Sequence, residues 1–252
     1  IEAVTGVQTC ALPILFKRYP YAGYGQYMTA HGNNLVRLPE CLSFALATRF
    51  GYLGTAYSAI RKAALRPSQS VLILGASGTL GVGATLLALA FGAARVVVVA
   101  RDADALKRLK ALDPGRVVPV LIGDGVIHEQ VLAQVPGGVD VMLDTLGAKA
   151  PAHLSVDAMQ AVGRGGRIVQ IGGVAGPIPI DPHPFMCAQL QYIGSLWFTT
   201  AEAEEMARMV ESGILDLSLL ESHAYPLERL NDALDDIQTQ GNGFSNFHIA
   251  HQ

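Results

Sequence analysis

The stretch that decides the fold is residues 71–81, with the sequence VLILGASGTLG. Four strand-forming residues precede three glycines, Gly75, Gly78 and Gly81, and a helix-favouring apolar run follows. A buried strand, a glycine turn and a helix in this order can hold a phosphate, because the helix N-terminus presents free N–H groups. Gly78 is then expected to let the backbone approach a pyrophosphate, and Gly81 to let the helix pack closely on the strand. The alternative is a glycine-rich turn that binds no ligand.

Short apolar runs alternate with helix-like segments on the C-terminal side of this turn. The predicted strands cover 71–75, 95–100, 116–121, 139–143, 166–172 and 191–196. The predicted helices cover 79–91, 102–111, 126–134, 149–162 and 183–189. This alternation predicts an α/β fold with a parallel sheet covered on both faces. Six strands are the number in a complete doubly wound Rossmann sheet.

Composition argues against several classes of protein. Lysine and arginine number 18 against 21 acidic residues, a net charge of −3, so the chain lacks a basic footprint for nucleic acid. The three cysteines, Cys10, Cys41 and Cys187, are far apart, which disfavours a disulfide framework or a cysteine-built zinc site. Residues 71–94 carry no charge, but glycines interrupt them, so a strand, turn and helix explain them better than a membrane span. Without a signal-peptide pattern, we expect a soluble, cytoplasmic protein.

The end of the second predicted strand bears on which dinucleotide would bind. Sites for NAD place an acidic residue about 20 positions after the glycine turn, on the ribose 2′-OH. Ala100 and Arg101 stand there in this chain. Without a carboxylate, a 2′-phosphate is not repelled, and a guanidinium pairs with phosphate bidentately, so NADP(H) is favoured over NAD(H). In the alternative, Arg101 is solvated and Asp102 binds the hydroxyl.

The front end of the chain, residues 1–70, does not make a domain by itself. Short strands are predicted over 25–30 and 34–38, followed by a helix from about Ser43, which is too little sheet to fold alone. Residues 1–15 resemble a translated sequencing adaptor and are interpreted as a non-native extension, so the natural N-terminus is expected to be missing. The tail is predicted to form two amphipathic helices and a short strand, at 202–212, 227–239 and 243–249.

Several motifs in a fixed order carry a resemblance to a known family. They are Gly23-Tyr24-Gly25-Gln26-Tyr27, Asn34-Leu35-Val36-Arg37-Leu38-Pro39, Gly54-Thr55-Ala56-Tyr57, the glycine turn, Asp140-Val141-Met142-Leu143-Asp144 and Gly165-Gly166-Arg167-Ile168-Val169. Together they resemble the medium-chain dehydrogenase/reductase superfamily, which includes zinc-type alcohol dehydrogenases and quinone reductases. The resemblance implies a dinucleotide-binding Rossmann domain over 48–198. It also implies an incomplete GroES-like catalytic domain, represented by 16–47 and 199–252.

The resemblance further implies which residues contact a nicotinamide cofactor. Leu80 would pack against the nicotinamide, with Thr55 beside the ring, while Thr145 and Leu146 would line the adenosine pocket. Backbone groups of Ile171, Ser195 and Trp197 would orient the carboxamide. The full candidate set is Thr55, Ala76, Ser77, Gly78, Thr79, Leu80, Gly81, Ala100, Arg101, Thr145, Leu146, Ile171, Gly172, Gly173, Ser195 and Trp197. Plain core packing is the alternative for the three apolar side chains, Leu80, Leu146 and Ile171.

Zinc is not expected in this chain. In the family, the first zinc ligands precede anything present here, and the third ligand position falls on Gly51, which has no ligand atom. The four-cysteine structural zinc lobe is also missing, and the histidines are interpreted as surface or core residues. The family's basic residue near the pyrophosphate corresponds to Asn246. We therefore assign no metal site and no catalytic residue.

The resulting hypothesis is an NADP(H)-dependent oxidoreductase of the alcohol dehydrogenase type, which moves hydride between the nicotinamide and an alcohol, carbonyl or enone. The truncated chain is expected to be impaired in catalysis and to form a homodimer through the sixth strand, at 189–198. One alternative is a non-catalytic dinucleotide-binding fragment or sensor. Another is an extended short-chain reductase, which needs Tyr-x-x-x-Lys. It is disfavoured because Leu196 and Arg229 stand four residues after the later tyrosines, Tyr192 and Tyr225.

Overall fold

One parallel sheet dominates the computed structural model, which describes Tyr24, Tyr27 and residues 30–250. Its six strands are β1 (Ser70–Leu74), β2 (Arg95–Ala100), β3 (Val117–Leu121), β4 (Val139–Asp144), β5 (Val162–Gln170) and β6 (Gln191–Gly194). The strand order is β3-β2-β1-β4-β5-β6, and every neighbouring pair is parallel. This is the doubly wound order, so the predicted Rossmann sheet of six strands is confirmed.

Helices precede and connect these strands. They are α1 (Phe44–Ala47), α2 (Phe50–Lys62), α3 (Thr79–Ala90), α4 (Ala103–Leu112), α5 (Ile127–Gln134), α6 (His153–Met159) and α7 (Pro182–Cys187). Every residue of β1 is buried, and so is every residue of β2 after Arg95. Both faces of the sheet are covered, which explains why these strands are continuous apolar runs without alternation.

The uncharged stretch at 71–94 is divided between β1, the glycine turn and α3. Residues 81–88 of helix α3 are all buried, which explains why the helix is apolar on every side. Within the described part of the chain, no helix is both long enough and apolar enough to cross a membrane.

The helix predicted over 149–162 is wrong at both ends. The observed helix, α6, covers only residues 153–159. The chain first makes a tight turn, in which the Ala150 N–H donates to the Gly147 carbonyl over 2.9 Å. Pro151 follows directly. The loop between β4 and α6 is therefore longer than expected, and it lies at the carboxyl end of the sheet.

The strand predicted over 166–172 is also displaced. It begins at Val162 and ends at Gln170, and its pairing with β4 shifts register between Val139 and Val141. Two glycines allow this irregularity, since a Cβ on Gly138 would lie 2.6 Å from the Gly163 nitrogen. Similarly, β6 ends at Gly194, two residues before the predicted end.

The chain divides into two compact units. One covers Thr55–Leu196 and contains the whole six-stranded sheet; its range lies inside the predicted cofactor domain of 48–198. The other unit joins the described residues up to Gly54 to those from Trp197 onward. This second unit contains α8 (Thr200–Glu211), α9 (Leu230–Thr239) and a parallel pair of strands, β7 (Glu221–Tyr225) and β8 (Ser245–Ile249).

The strand predicted over 34–38 is wrong. A short 3-10 helix, Gly32–Asn34, precedes an extended segment that joins neither described sheet. The helix expected near Ser43 does form, because the Ser43 hydroxyl caps α1 by accepting the Leu46 N–H over 3.2 Å. The strand predicted over 25–30, apart from Tyr27 and Ala30, and the extension at 1–15 lie outside the described residues.

Candidate functional site

The glycine turn between β1 and α3 is held against the end of β2. The N–H groups of Gly75 and Ala76 both donate to the Val99 carbonyl, over 2.9 and 3.0 Å. Gly75 has a φ of +86°, a backbone conformation that residues other than glycine rarely adopt. The Gly78 N–H then donates to the Gly75 carbonyl over 3.1 Å, which closes the turn.

The other two glycines of the turn differ in what surrounds them. A Cβ on Gly81 would lie 2.6 Å from Ala76 Cα, so only glycine lets α3 pack this closely on the turn. A Cβ on Gly78 would meet no protein atom nearer than the Gly75 carbonyl oxygen, at 3.5 Å. Gly78 is also the N-cap residue of α3, and no side chain caps this end of the helix. The space beside the Gly78 backbone is therefore open at the positive end of the helix dipole.

Thr145, after the end of β4, connects the two central strands of the sheet. Its hydroxyl donates to the Leu74 carbonyl over 2.7 Å and lies 3.1 Å from the Gly75 carbonyl oxygen. The Thr145 N–H also donates to the Leu74 carbonyl, over 3.0 Å. Thr145 therefore holds the start of the glycine turn in place from the β4 side.

A cavity of about 230 Å³ opens where the strand order reverses, between the carboxyl ends of β1 and β4. The turn, the residues after β2 and β3, and the loop after β4 all contribute to it. The lining residues are Gly75, Ser77, Gly78, Ala100, Arg101, Ile122, Thr145, Leu146, Gly147, Lys149, Ala150, Pro151 and Leu154. Six of the candidate cofactor residues meet here, namely Ser77, Gly78, Ala100, Arg101, Thr145 and Leu146.

The cavity lining carries positive charge only. Arg101 and Lys149 are its two ionisable residues, and no carboxylate is among the lining residues. The nearby Asp102 has a different role, because its side chain accepts the Ala105 N–H over 2.9 Å and caps α4. Asp102 thus accepts a hydrogen bond within its own helix, whereas Arg101 lines the cavity.

The buried carboxyl group of Asp144 organises the loop after β4. Asp144 has no exposed surface; it accepts the Leu146 N–H over 3.0 Å and the Ser155 hydroxyl over 2.5 Å. Burial raises the pKa of Asp144, and the two hydrogen bonds reduce this shift without cancelling it. The carboxyl group thus holds the loop after β4 in place.

The remaining candidate cofactor residues lie outside this cavity; they are Thr55, Ala76, Thr79, Leu80, Gly81, Ile171, Gly172, Gly173, Ser195 and Trp197. Ala76 is fully buried, whereas Leu80 is partly exposed. Trp197, with a φ of +52°, belongs to the second unit.

Two of the three residues whose backbone is expected to orient a carboxamide, Ile171 and Ser195, already have partners for their N–H groups, and so does the neighbouring Gly172. Those of Ile171 and Gly172 donate to the Asp144 carbonyl over 3.1 and 2.8 Å, and that of Ser195 donates to the Gln170 carbonyl over 3.0 Å. Gly172 is needed for packing, because a Cβ there would lie 2.6 Å from the Leu146 nitrogen. Gly173 has no atom within 4 Å on its Cβ side, so of these two glycines it is Gly173 that leaves open space.

Asn246, which replaces the basic residue of the family, has a structural role in the second unit. It is 5% exposed, and its amide donates to the Ala45 carbonyl over 2.6 Å and to the Thr48 hydroxyl over 3.2 Å. These bonds attach β8 to the end of α1. The side chain is thus committed to joining two elements of its own unit.

Sequence reasoning missed several lining residues of the cavity, namely Gly75, Ile122, Gly147, Lys149, Ala150, Pro151 and Leu154. All of them follow the carboxyl end of a strand, at β1, β3 or β4. The general rule that ligands of doubly wound sheets bind outside these ends would have pointed to them. The lysine after β4 was the strongest such signal, because it adds a charge to an otherwise neutral loop.

The resemblance also implies a catalytic zinc, and the described residues do not fit one. Among Tyr24, Tyr27 and residues 30–250, no three His, Cys, Asp or Glu side chains are grouped so that they could hold a metal ion. At Gly51, a Cβ would meet nothing within 4 Å. His128 pairs with Asp157, and the ring of His183 lies 3.7 Å from the Cys187 sulfur, but these are pairs. We therefore derive no step through zinc.

Comparisons with known proteins agree with this architecture. A family model described as zinc-binding dehydrogenase matches residues 79–212. An NAD-dependent alcohol dehydrogenase of Sulfolobus acidocaldarius is 29% identical over 219 residues, which cover 86% of this chain and 61% of that protein. The quinone oxidoreductase of Homo sapiens is 28% identical over 224 residues, which cover 85% of this chain and 65% of that protein.

A solved structure shares the fold at lower identity. A protein from Sinorhizobium meliloti bound to NADP superposes with a TM-score of 0.70 at 22% identity, over 80% of this chain and 58% of that one. The chain spans 61% and 65% of the lengths of the two curated relatives. Because the family model matches more than half of the 252 residues, the chain belongs to the zinc-binding dehydrogenase family of the medium-chain dehydrogenase/reductase superfamily.

Proposed function

We propose that this chain binds NADP(H) at the carboxyl ends of β1, β2 and β4 and belongs to an oxidoreductase acting on an alcohol, carbonyl or enone. The observation that carries the proposal is the cavity beside the glycine turn, which combines an open helix N-terminus with two cations and no carboxylate. Such a site suits an anionic dinucleotide, because the helix end can receive the pyrophosphate while the two cations can receive a phosphate on the ribose.

The comparisons support a nicotinamide dinucleotide without deciding which one. One relative is named as NAD-dependent, and one structural neighbour is bound to NADP. The choice of NADP(H) therefore depends on this chain's own residues. Ala100 stands at the end of β2 where NAD sites have an acid, Arg101 lines the cavity, and one carboxylate oxygen of Asp102 caps the start of α4.

The proposed roles follow from where each group lies. Gly78 would admit the pyrophosphate, Arg101 would pair with the 2′-phosphate, and Leu146 and Ile122 would cover the adenine. Leu80, at the start of α3, would support the nicotinamide. When bound, the nicotinamide supplies or accepts hydride. No side chain is assigned as the proton donor.

Coenzyme titration of an Arg101→Ala variant tests the proposal. Binding of NADPH and NADH to the purified chain is followed by coenzyme fluorescence. Loss of one charge-assisted contact should weaken NADPH by about 1–3 kcal/mol and leave NADH nearly unchanged. Arg95→Ala is the matched control, because Arg95 is an exposed arginine at the opposite end of the same strand; it should alter neither affinity. Equal losses for NADPH and NADH with Arg101→Ala would remove the 2′-phosphate role.

Turnover is a separate part of the proposal. The alignments cover only 61% and 65% of the related alcohol dehydrogenase and quinone oxidoreductase. Impaired catalysis by this chain therefore stays a prediction. It is checked by metal analysis together with assays on simple alcohols and on quinones. Steady alcohol oxidation with about one zinc per chain would contradict it.

A further inference from the structure

Lys149 is a second cation at the proposed cofactor site, and no sequence motif pointed to it. Lys149 follows β4, whereas Arg101 follows β2, and these two strands flank β1 in the sheet. Both residues line the same cavity of about 230 Å³. We propose that Lys149 and Arg101 jointly bind the 2′-phosphate of NADP(H), which makes Lys149 a specificity-determining residue. This inference rests on the proposed function.

Charge balance favours two cations for one phosphate. A ribose phosphate monoester carries a charge of about −1.5 to −2 at neutral pH, so a single guanidinium leaves part of it uncompensated. No carboxylate among the lining residues competes for either cation. The two side chains also differ usefully, since the planar guanidinium orients the phosphate and the lysine ammonium adds a point charge.

The backbone that carries Lys149 is already ordered for this task. Residues 147–150 form a tight turn closed by the bond from the Ala150 N–H to the Gly147 carbonyl. The residue before the turn, Leu146, is held by the buried carboxyl group of Asp144, which also binds Ser155 in α6. Because the turn is anchored at both sides, binding a phosphate costs little additional backbone ordering.

Apolar neighbours indicate what the phosphate is attached to. Ile122, Leu146, Pro151 and Leu154 line the same cavity as the two cations. An inorganic phosphate would use only the charged part, whereas an adenosine 2′-phosphate would also cover the apolar side chains. The cavity therefore favours a phosphorylated nucleoside over a free phosphate ion.

The test measures the affinities of the Lys149→Gln variant and of the unmodified chain for four probes, namely NADPH, NADH, 2′,5′-ADP and 5′-AMP. Removing one exposed charge should weaken NADPH and 2′,5′-ADP by about five- to tenfold and change NADH and 5′-AMP by less than about twofold. Lys149→Arg should restore binding of NADPH to within about threefold, because the charge returns. Lys107→Gln is the matched control, since Lys107 is an exposed lysine on α4 that does not line the cavity.

The outcomes separate this inference from the proposed function. If the unmodified chain binds neither coenzyme nor 2′,5′-ADP, the proposed function fails and this inference fails with it. If Arg101→Gln weakens NADPH while Lys149→Gln does not, only the role of Lys149 is overturned. Equal weakening of NADPH and NADH by Lys149→Gln would also overturn it, because a contact to the shared pyrophosphate would then explain the effect.

Discussion

At Gly78 and Gly81, two residues of the same turn, a methyl group should have opposite consequences. Gly81→Ala would place a Cβ 2.6 Å from Ala76 Cα and is expected to cost about 1–3 kcal/mol of unfolding free energy through overpacking. Gly78→Ala meets nothing nearer than 3.5 Å and should change stability by less than about 1 kcal/mol. Its methyl would occupy the space proposed for a phosphate, so NADPH affinity should fall about tenfold or more, about 1.4 kcal/mol.

Chemical denaturation and NADPH titration of both glycine variants check this pair. Each variant serves as the control for the other, because one probes packing and the other probes the ligand. If Gly78→Ala binds NADPH as tightly as the unmodified chain, the backbone of the turn does not receive the phosphate.

At Asp144, the pH dependence of stability can be predicted in sign. Burial raises the pKa of this carboxyl group in the folded chain. The folded state therefore holds the proton more tightly than the unfolded state. This contribution to stability is complete below the ordinary carboxyl value and declines as pH rises through the raised pKa. Asp144→Asn keeps an acceptor for the Leu146 N–H but does not ionise, so its stability should decline less as the pH rises above the ordinary carboxyl value of about 3.9.

Asp157 provides the opposite control for the same measurement. Burial raises its pKa, but hydrogen bonds from His128 and from the N–H groups of Ile127 and His128 outweigh this, and the pKa lies below the ordinary value. Its contribution to stability is present above the ordinary carboxyl value and is lost as pH falls through the lowered pKa. Asp157→Asn should therefore flatten the acid side of the stability profile. Identical pH profiles for the Asp144 and Asp157 variants would contradict both assignments.

At the scale of elements, Asn246 and Arg49 join β8 to the helices at the start of the second unit. Arg49 is buried and donates to the carbonyls of Ser245, over 2.8 Å, and Gly243, and burial lowers its pKa to about 10. Asn246 donates to the Ala45 carbonyl. These side chains donate hydrogen bonds to backbone carbonyls, so their loss would leave buried acceptors unsatisfied.

Replacing Asn246 with aspartate tests this attachment. Asn246→Asp keeps the shape but removes the donor and buries a negative charge, so the unfolding free energy should fall by about 2–4 kcal/mol. Asn231→Asp, an exposed position on α9, should change it by less than about 0.5 kcal/mol. Equal effects at the two positions in denaturant titrations would refute the structural role of Asn246.

At the scale of the whole molecule, β6 is an edge strand with apolar neighbours. It ends the six-stranded sheet, Tyr192 on it is 37% exposed, and Leu196 just after it is 73% exposed. An edge that is uncovered offers backbone groups to a second strand. We therefore predict a homodimer formed through residues 189–198.

Light scattering at micromolar concentration measures this association. The chain should have twice its monomer mass, and Leu196→Lys should shift it toward monomer because a charge would enter the interface. Ile214→Lys, at a residue that is 58% exposed in the second unit, is the control and should leave the mass unchanged. A monomeric unmodified chain, without aggregation, would exclude this interface.

The sequence by itself determined the sheet and the glycine turn. Strands buried on both faces are continuous apolar runs, and the turn needs glycine at Gly75 and Gly81 for reasons confined to a few neighbouring residues. These signals are local, so they can be found without knowing what lies across the sheet. Boundaries were less predictable where the cause was distant, as in β5, whose register shift depends on Gly138 approaching Gly163.

Only the tertiary structure decided which residues share the site. Arg101 and Lys149 are far apart along the chain and meet at one cavity because the strand order places β2 and β4 on either side of β1. Gly172 likewise meets the loop after β4, because a Cβ there would lie 2.6 Å from the Leu146 nitrogen, whereas Asp102 caps its own helix through the Ala105 N–H. The contacts at the cavity and at Gly172 are made by chain topology, which no local pattern of residues encodes, while the cap formed by Asp102 involves only its own helix and is a local signal.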